Sequence, residues 1–315
     1  MTRHRHYGCL PTTPDARDYL AAPPRAYTGA YVDLSPRFPE TPYDQGQLGS
    51  CVSNGTAACI DFSRARSGLA PLKRPARLYI YWRGRQLEGS PADQDTGLQV
   101  RDGLAVAAKW GAPPETDWPY DISTFATPPT AKDDSDAGHD VAHIYGQVAP
   151  GDIDNVIASG LPVVFGFTVY ESFEDATGVG LSGVMADPNR ATEQQVGGHC
   201  VVAVSTQIDG AQIGGIPGVK YRKVRNSWGT DWGQGGYYYM PLSVFAQDAS
   251  DFWQLTTVTD PNPPVPPKPQ PTPTPDADHV FAAVLHPWVL TPHTDIAGNA
   301  KVATAAKAWL KAKAL

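Results

Sequence analysis

The run Gln45-Gly46-Gln47-Leu48-Gly49-Ser50-Cys51 constrains the fold of this chain more than any other stretch, because a glycine-rich bend delivers a cysteine to the start of the next element. From Val52 to Arg66 no proline interrupts, Ala57, Ala58, Ile60 and Phe62 recur, and Gly68 follows, so a helix opening at Cys51 is predicted. A thiol at a helix N-terminus faces the positive end of the macrodipole and unpaired backbone N–H groups, which favours its thiolate. Gln45 lies on the same bend, where its side-chain amide can serve an oxyanion.

Two further patches carry chemistry. Gly197-Gly198-His199-Cys200 runs into Val201-Val202-Ala203-Val204, a histidine at the start of a buried strand that holds an imidazole rigidly. Lys220 to Arg225 reads as another strand, leading into Asn226-Ser227-Trp228-Gly229 and Trp232-Gly233-Gln234-Gly235-Gly236-Tyr237. Alone, Cys51 reads as a small buried hydrophobe, His199 as a core histidine and Asn226 as a turn former. Together with Gln45, in the order Cys, His, Asn, they read as a thiol-based catalytic set.

On these residues the chain resembles the papain-like cysteine peptidases from about Val32 to Val258. The separation of Cys51 from His199 falls in the range of roughly 130 to 150 residues seen in that family. Asp95-Thr96-Gly97-Leu98, the helical stretch to Trp110 and then Trp118-Pro119-Tyr120 are similar to the family's segment lining the substrate cleft. The chain departs from many secreted members in having Leu48 in place of a disulfide cysteine and Val52 in place of an aromatic. It departs from many plant and animal members in having Gly198 before the histidine instead of an aspartate. These differences resemble a bacterial or viral branch that lacks the usual disulfides, and none removes a catalytic group.

The resemblance implies an α+β, two-lobed fold, with Cys51 on a helical lobe and His199 and Asn226 on an antiparallel β lobe. It implies a thiol-dependent endopeptidase acting on a peptide or protein substrate through an acyl-thioester. Cys51 would be the nucleophile, since a free thiol of pKa near about 8.5 needs an adjacent imidazole to become a thiolate at neutral pH. His199 would hold the proton and pass it to the leaving amine, and Asn226 would orient the ring. Gln45 would join the Cys51 backbone N–H in an oxyanion hole. Gly97, Leu98, Gly198 and Trp228 would line the substrate site, Trp228 also shielding the His–Asn bond from water. No cofactor and no metal are expected. An acyl-transfer enzyme, either a peptide ligase or an amidase, and a catalytically silent peptide-binding module are the alternative readings.

Composition bounds the rest. The chain has 315 residues, 41% of them hydrophobic, enough for one large or two small cores, and its net charge of −7 gives no footprint for nucleic acid. The cysteines at 9, 51, 59 and 200 do not form a disulfide scaffold, and reduced thiols are expected. No apolar run reaches the roughly 18 residues of a membrane span, and residues 1 to 30 lack the apolar core of a signal peptide, so the cytoplasm is the default expectation, with non-Sec export left open.

Four segments are expected. Residues 1–31, with Pro11, Pro14, Pro23 and Pro24, read as extended polypeptide that either occludes the cleft, as in a zymogen, or lies on the surface as an arm. Residues 32–259 form the catalytic body, with helices near 51–66, 98–110 and 151–159 followed by strands near 162–169, 199–206, 219–225 and 236–240, and a loop over 178–195. Residues 260–276 are a linker: nine of the fifteen residues from Pro261 to Pro275 are proline, a polyproline II spacer about 46 Å long at roughly 3.1 Å per residue. In 277–315, Val302, Ala306, Trp309 and Leu310 make an apolar stripe among lysines. It reads as a small helical tail that docks on a partner protein or surface, or packs on the catalytic body or a second copy. Oligomeric state is not legible.

Overall fold

A computed structural model describes residues 6–16, 18, 20–21, 26–70, 74–137 and 142–258. The chain divides into two units, Met1–Pro14 with Leu20–Pro264, and Asp15–Tyr19 with Val265–Leu315. The proline linker and the apolar stripe of the tail lie outside the described residues.

The first unit is built on the predicted helix, α1 (Cys51–Arg66). Every residue from Cys51 to Arg64 is buried, so this helix is enclosed on all sides instead of presenting one apolar stripe. The fit is close enough that a Cβ on Gly55 would stand 3.2 Å from Val164 Cγ2 and 3.3 Å from Cys200 Sγ. Against α1 pack α2 (Arg77–Glu88) and α3 (Val100–Lys109), the latter preceded by a two-residue strand, β2 (Leu98–Gln99).

Sequence pattern alone did not identify α2, because three arginines interrupt its apolar face. Tertiary partners make that face buriable. Arg77 forms a paired contact with Glu115, Nε to Oε2 at 2.7 Å and Nη2 to Oε1 at 2.8 Å, and donates from Nη1 to Asn54 Oδ1 of α1 at 2.9 Å. Arg85 donates to the carbonyls of Ala92, Gln94 and Phe125.

The other lobe is an antiparallel sheet of β3 (Ala142–Gln147), β4 (Val163–Tyr170), β5 (Gln195–Ala203), β6 (Ile208–Asp209), β7 (Lys220–Arg225), β8 (Tyr237–Pro241) and β9 (Ala249–Val258). Its order is β3-β9-β4-β5-β7-β6, with β8 also paired to β7. The four predicted strands are β4, β5, β7 and β8. β5 starts earlier than expected, at Gln195, and the expected 178–195 loop contains a one-turn helix (Val179–Ser182). Strands β3 and β9 went unpredicted: β3 contains His143 and Gly146, and β9 opens on the polar run Ala249-Ser250-Asp251. The register sets Phe167 opposite His199 and Gly166 opposite Cys200, which fixes His199 at the middle of two paired central strands.

Before α1 the chain places β1 (Cys9–Leu10) parallel to β2, with Cys9 opposite Leu98 and Leu10 opposite Gln99. Further on it runs over the β lobe. Leu20 bridges Gln147, Tyr27 N donates to Asn155 Oδ1 at 2.7 Å, and Val32 N donates to Thr206 Oγ1 at 2.8 Å. The N-terminal extension thus has two parts: residues 7–10 lie between the lobes, and the described residues from Leu20 to Tyr31 follow the sheet.

Candidate active site

Cys51 is the first residue of α1, and His199 lies on β5, the central strand α1 packs against. Both are fully buried. His199 Nε2 is 2.8 Å from Asn226 Oδ1, just past the end of β7. That oxygen also accepts the Ser227 backbone N–H at 2.8 Å, so it is an acceptor on both counts and Nε2 must be the donor. Nδ1 is therefore the ring nitrogen that can exchange a proton with a thiol. Trp228 stacks on the imidazole at 5.1 Å between centroids and 29° between planes, and Phe167 and Phe173 approach its other sides. The ring is held by aromatics and oriented by one amide.

Gln45 is fully buried and its side chain has one permitted orientation. Ser227 Oγ donates to Oε1 at 2.6 Å, which turns the Nε2 donors toward the Leu48 carbonyl at 3.1 Å and the His6 carbonyl at 3.4 Å. The Gln45 N–H to Ser227 carbonyl bond, 2.9 Å, ties this bend to the Asn226 turn. A second tie is Asp95, which accepts the Gly49 N–H at 2.9 Å and also meets the Tyr81 hydroxyl and His6 Nδ1, the latter at 2.6 Å. Asp95 and Ser227 went unnoticed as positioning residues because each acts on a backbone or amide distant in sequence.

The residues expected to bind substrate lie against the chain's own N-terminal segment. Leu98 N donates to Gly8 O at 2.8 Å, while the Leu98 side chain turns into the helical lobe. Gly97 has φ +77°, and any Cβ there would collide with the Gly8 carbonyl, so glycine meets two demands at once. A Cβ on Gly198 would lie 2.5 Å from Cys9 O, and one on Gly197 2.6 Å from Tyr7 Cβ. Trp228 meets His199, Phe173 and Trp232 at 5.1 Å and Tyr7 at 6.3 Å between ring centroids, so it packs within an aromatic cluster as well as against the covering segment. A Cβ on Gly8 would run into the Gly49 backbone, so only a glycine passes there.

This cover changes the electrostatics of the thiol. Burial pushes the Cys51 thiol up to about 12, with the neighbouring Cys9 adding to the effect, while backbone N–H groups of Cys200, Gly8 and Val52 act in the opposite sense. The thiolate favoured by the helix N-terminus is thus disfavoured by the burial of the thiol. All four cysteines, Cys9 included, are free. No cluster of His, Cys, Asp or Glu with metal-binding potential occurs among the described residues, and no helix among them is long and apolar enough to cross a membrane.

Residues 96–247 match the model of the papain family of cysteine proteases. An uncharacterized peptidase C1-like protein of Acanthamoeba polyphaga mimivirus is 32% identical over 300 residues, covering 82% of this chain and 89% of the viral protein. A cathepsin B-like protein of Giardia intestinalis is 28% identical over 212 residues, 62% of each chain. Among solved structures, xylellain, a cysteine protease from Xylella fastidiosa, is 32% identical and superposes with a TM-score of 0.69, covering 82% of this chain and 99% of its own. A procathepsin B from Trypanosoma congolense shares the fold at 18% identity and a TM-score of 0.60, covering 81% of this chain and 87% of its own. Identity of this extent over most of both chains, on a two-lobed fold with Cys, His and Asn at its seam, makes the chain a member of the papain family of cysteine peptidases and a thiol-dependent endopeptidase.

Proposed function

We propose that Cys51, His199, Asn226 and Gln45 hydrolyse peptide bonds, and that residues 7–10 hold the enzyme latent by lying in its cleft. With the segment gone, water and His199 Nδ1 reach the thiol. The thiolate attacks the scissile carbonyl, and the oxyanion that forms accepts from Gln45 Nε2 and the Cys51 backbone N–H. His199 then protonates the leaving amine, the acyl-thioester remains on Cys51, and water activated by the neutral imidazole releases the acid.

One observation carries this reading. The groups expected to hold a peptide are engaged by the backbone of residues 6–9: Gln45 with His6 O, Leu98 N with Gly8 O, and Gly198 beneath Cys9 O. Such engagement supports both a peptide-binding cleft and a zymogen-like cover. The strand pairing is parallel, with Cys9 opposite Leu98 and Leu10 opposite Gln99. Free thiols at Cys9, Cys51, Cys59 and Cys200 support a reducing compartment such as the cytoplasm.

Full-length chain, a Gly8→Val variant that cannot seat the segment, and Cys51→Ala are to be treated with an epoxide electrophile and read by intact mass. Labelling confined to Cys51 and faster in Gly8→Val is the expected result. No Cys51-dependent label in either form overturns the catalytic assignment, and equal rates overturn the latency.

A further inference from the structure

Three of the four thiols gather where α1 meets the sheet, and one of them belongs to the covering segment. Cys9 lies on β1 and is half-buried, whereas Cys51 at the start of α1 and Cys200 on β5 are buried. Cys200 Sγ stands 3.3 Å from the Cβ position of Gly55, one turn after Cys51, so it points from the sheet toward α1. Cys9 Cβ lies 3.8 Å from the Cβ position of Gly198, and Cys9 Sγ lies 2.9 Å from that of Gly166, the residue paired with Cys200 across β4 and β5. Residues opposite one another in an antiparallel pair present their Cβ atoms to one face about 4.5–5.5 Å apart, and Gly198, two residues from Cys200, shares that face. Two glycines thus clear the space that the Cys9 side chain enters, and there its thiol shares a hydrogen bond with the thiol of Cys200.

The two thiols differ in access. A cavity of about 80 Å³, lined by Cys9 and by β4, β5 and the start of β9, leads small solutes to the Cys9 side chain. Cys200 is sealed beneath α1, and burial, with the Cys9 hydrogen bond adding to it, raises its thiol well above the usual range. A small oxidant therefore meets Cys9 first, and the buried thiol beside it is placed to resolve the product. Peptide hydrolysis as described above uses neither sulfur.

We propose that Cys9 and Cys200 are an oxidation site that closes to a disulfide, bolting the covering segment to the strand that carries His199 and making latency covalent and redox-controlled. With a peroxide as oxidant, the Cys9 thiolate attacks one peroxide oxygen, the O–O bond breaks, hydroxide leaves and Cys9 becomes a sulfenic acid. The Cys200 sulfur then attacks the Cys9 sulfur, the S–O bond breaks as the S–S bond forms, and the oxygen departs as water. One hydrogen peroxide and two thiols give one disulfide and two waters. A dithiol reductant reverses the bond by exchange and frees the segment, while Cys51 remains a thiol throughout. The locking effect rests on the reading of residues 7–10 as a latent cover, whereas the pairing of the two sulfurs does not.

Full-length chain, Cys9→Ser, Cys200→Ala and Cys51→Ala are to be treated with hydrogen peroxide, blocked at their remaining thiols and mapped by peptide mass, with melting temperatures recorded for each. A Cys9–Cys200 linked peptide is expected in the full-length chain and in Cys51→Ala, and in neither of the other two. Epoxide labelling of Cys51, followed before oxidation, after it and after dithiothreitol, is expected to slow by about tenfold or more in the oxidised full-length chain and to recover on reduction. Cys9→Ser and Cys200→Ala should lack that reversible slowing. A Cys9–Cys51 bond in its place, no disulfide in the folded chain, or equal slowing in Cys9→Ser overturns the proposal. A Cys9–Cys200 bond that leaves Cys51 labelling unchanged would sustain the pairing while overturning the latency.

Discussion

At the scale of single residues, the buried thiol and the clamped glutamine make opposite kinds of prediction. Burial raises the Cys51 thiol to about 12 in the covered enzyme, so its thiolate is scarce at neutral pH. Alkylation of the full-length chain should therefore climb about tenfold per pH unit from pH 6 to pH 9, since only the thiolate reacts. Gly8→Val should label faster at pH 6 and level off earlier, and parallel profiles would remove burial as the cause. For Gln45, loss of the amide in Gln45→Ala should lower kcat by on the order of 10²–10³, the usual cost of one oxyanion donor. Ser227→Ala, which removes only the 2.6 Å bond orienting that amide, should cost less and leave KM near its starting value. Steady-state kinetics on Gly8→Val backgrounds measures both.

Elements are held by contacts the local sequence conceals. α2 rests on Arg77, nearly buried and matched to Glu115, Asn54 and the Asp44 carbonyl, with its guanidinium 3.7 Å from the centre of the Tyr120 ring. Arg77→Ala leaves Glu115 without its cation in a place of little water, and should destabilise the fold by about 3–5 kcal/mol. Urea unfolding would show this as a lower midpoint at unchanged slope. The same residue ties α2 to α1 through Asn54, one turn after Cys51, so the variant should also slow Cys51 labelling of the folded enzyme. Its neighbour Ser50 is fixed by the Tyr120 hydroxyl at 2.5 Å, which steadies the N-terminus of the helix that carries the thiol.

For the whole molecule, the covering segment and the cleft belong to one chain, so the proposed latency is an intramolecular equilibrium. Full-length enzyme should show the same specific activity across a hundredfold range of concentration, whereas a separate peptide of residues 1–14 should inhibit Gly8→Val competitively and be diluted out. The difference is one of effective concentration, roughly millimolar for a short tether. An activity that falls with enzyme concentration in the full-length chain would assign the cover to a neighbouring copy.

The sequence by itself determined the chemistry and its scaffold. Gln45, Cys51, His199 and Asn226 each stand in a local pattern, whether a glycine bend, a proline-free helix start or a β-branched strand, whose physics is complete within a few residues. α1 and the strands β4, β5, β7 and β8 were legible for the same reason. What only the tertiary structure decided depends on partners far along the chain. Arg77 and Arg85 make α2 buriable through carbonyls and carboxylates that no helical period encodes, and the polar opening of β9 gains its place from pairing with β4. Nothing within residues 7–10 says that they run beside β2 over the thiol. That follows from the fit of Gly8 against Gly49 and Gly97 on the helical lobe and of Cys9 against Gly198 on the β lobe, close enough to admit a backbone and exclude a side chain.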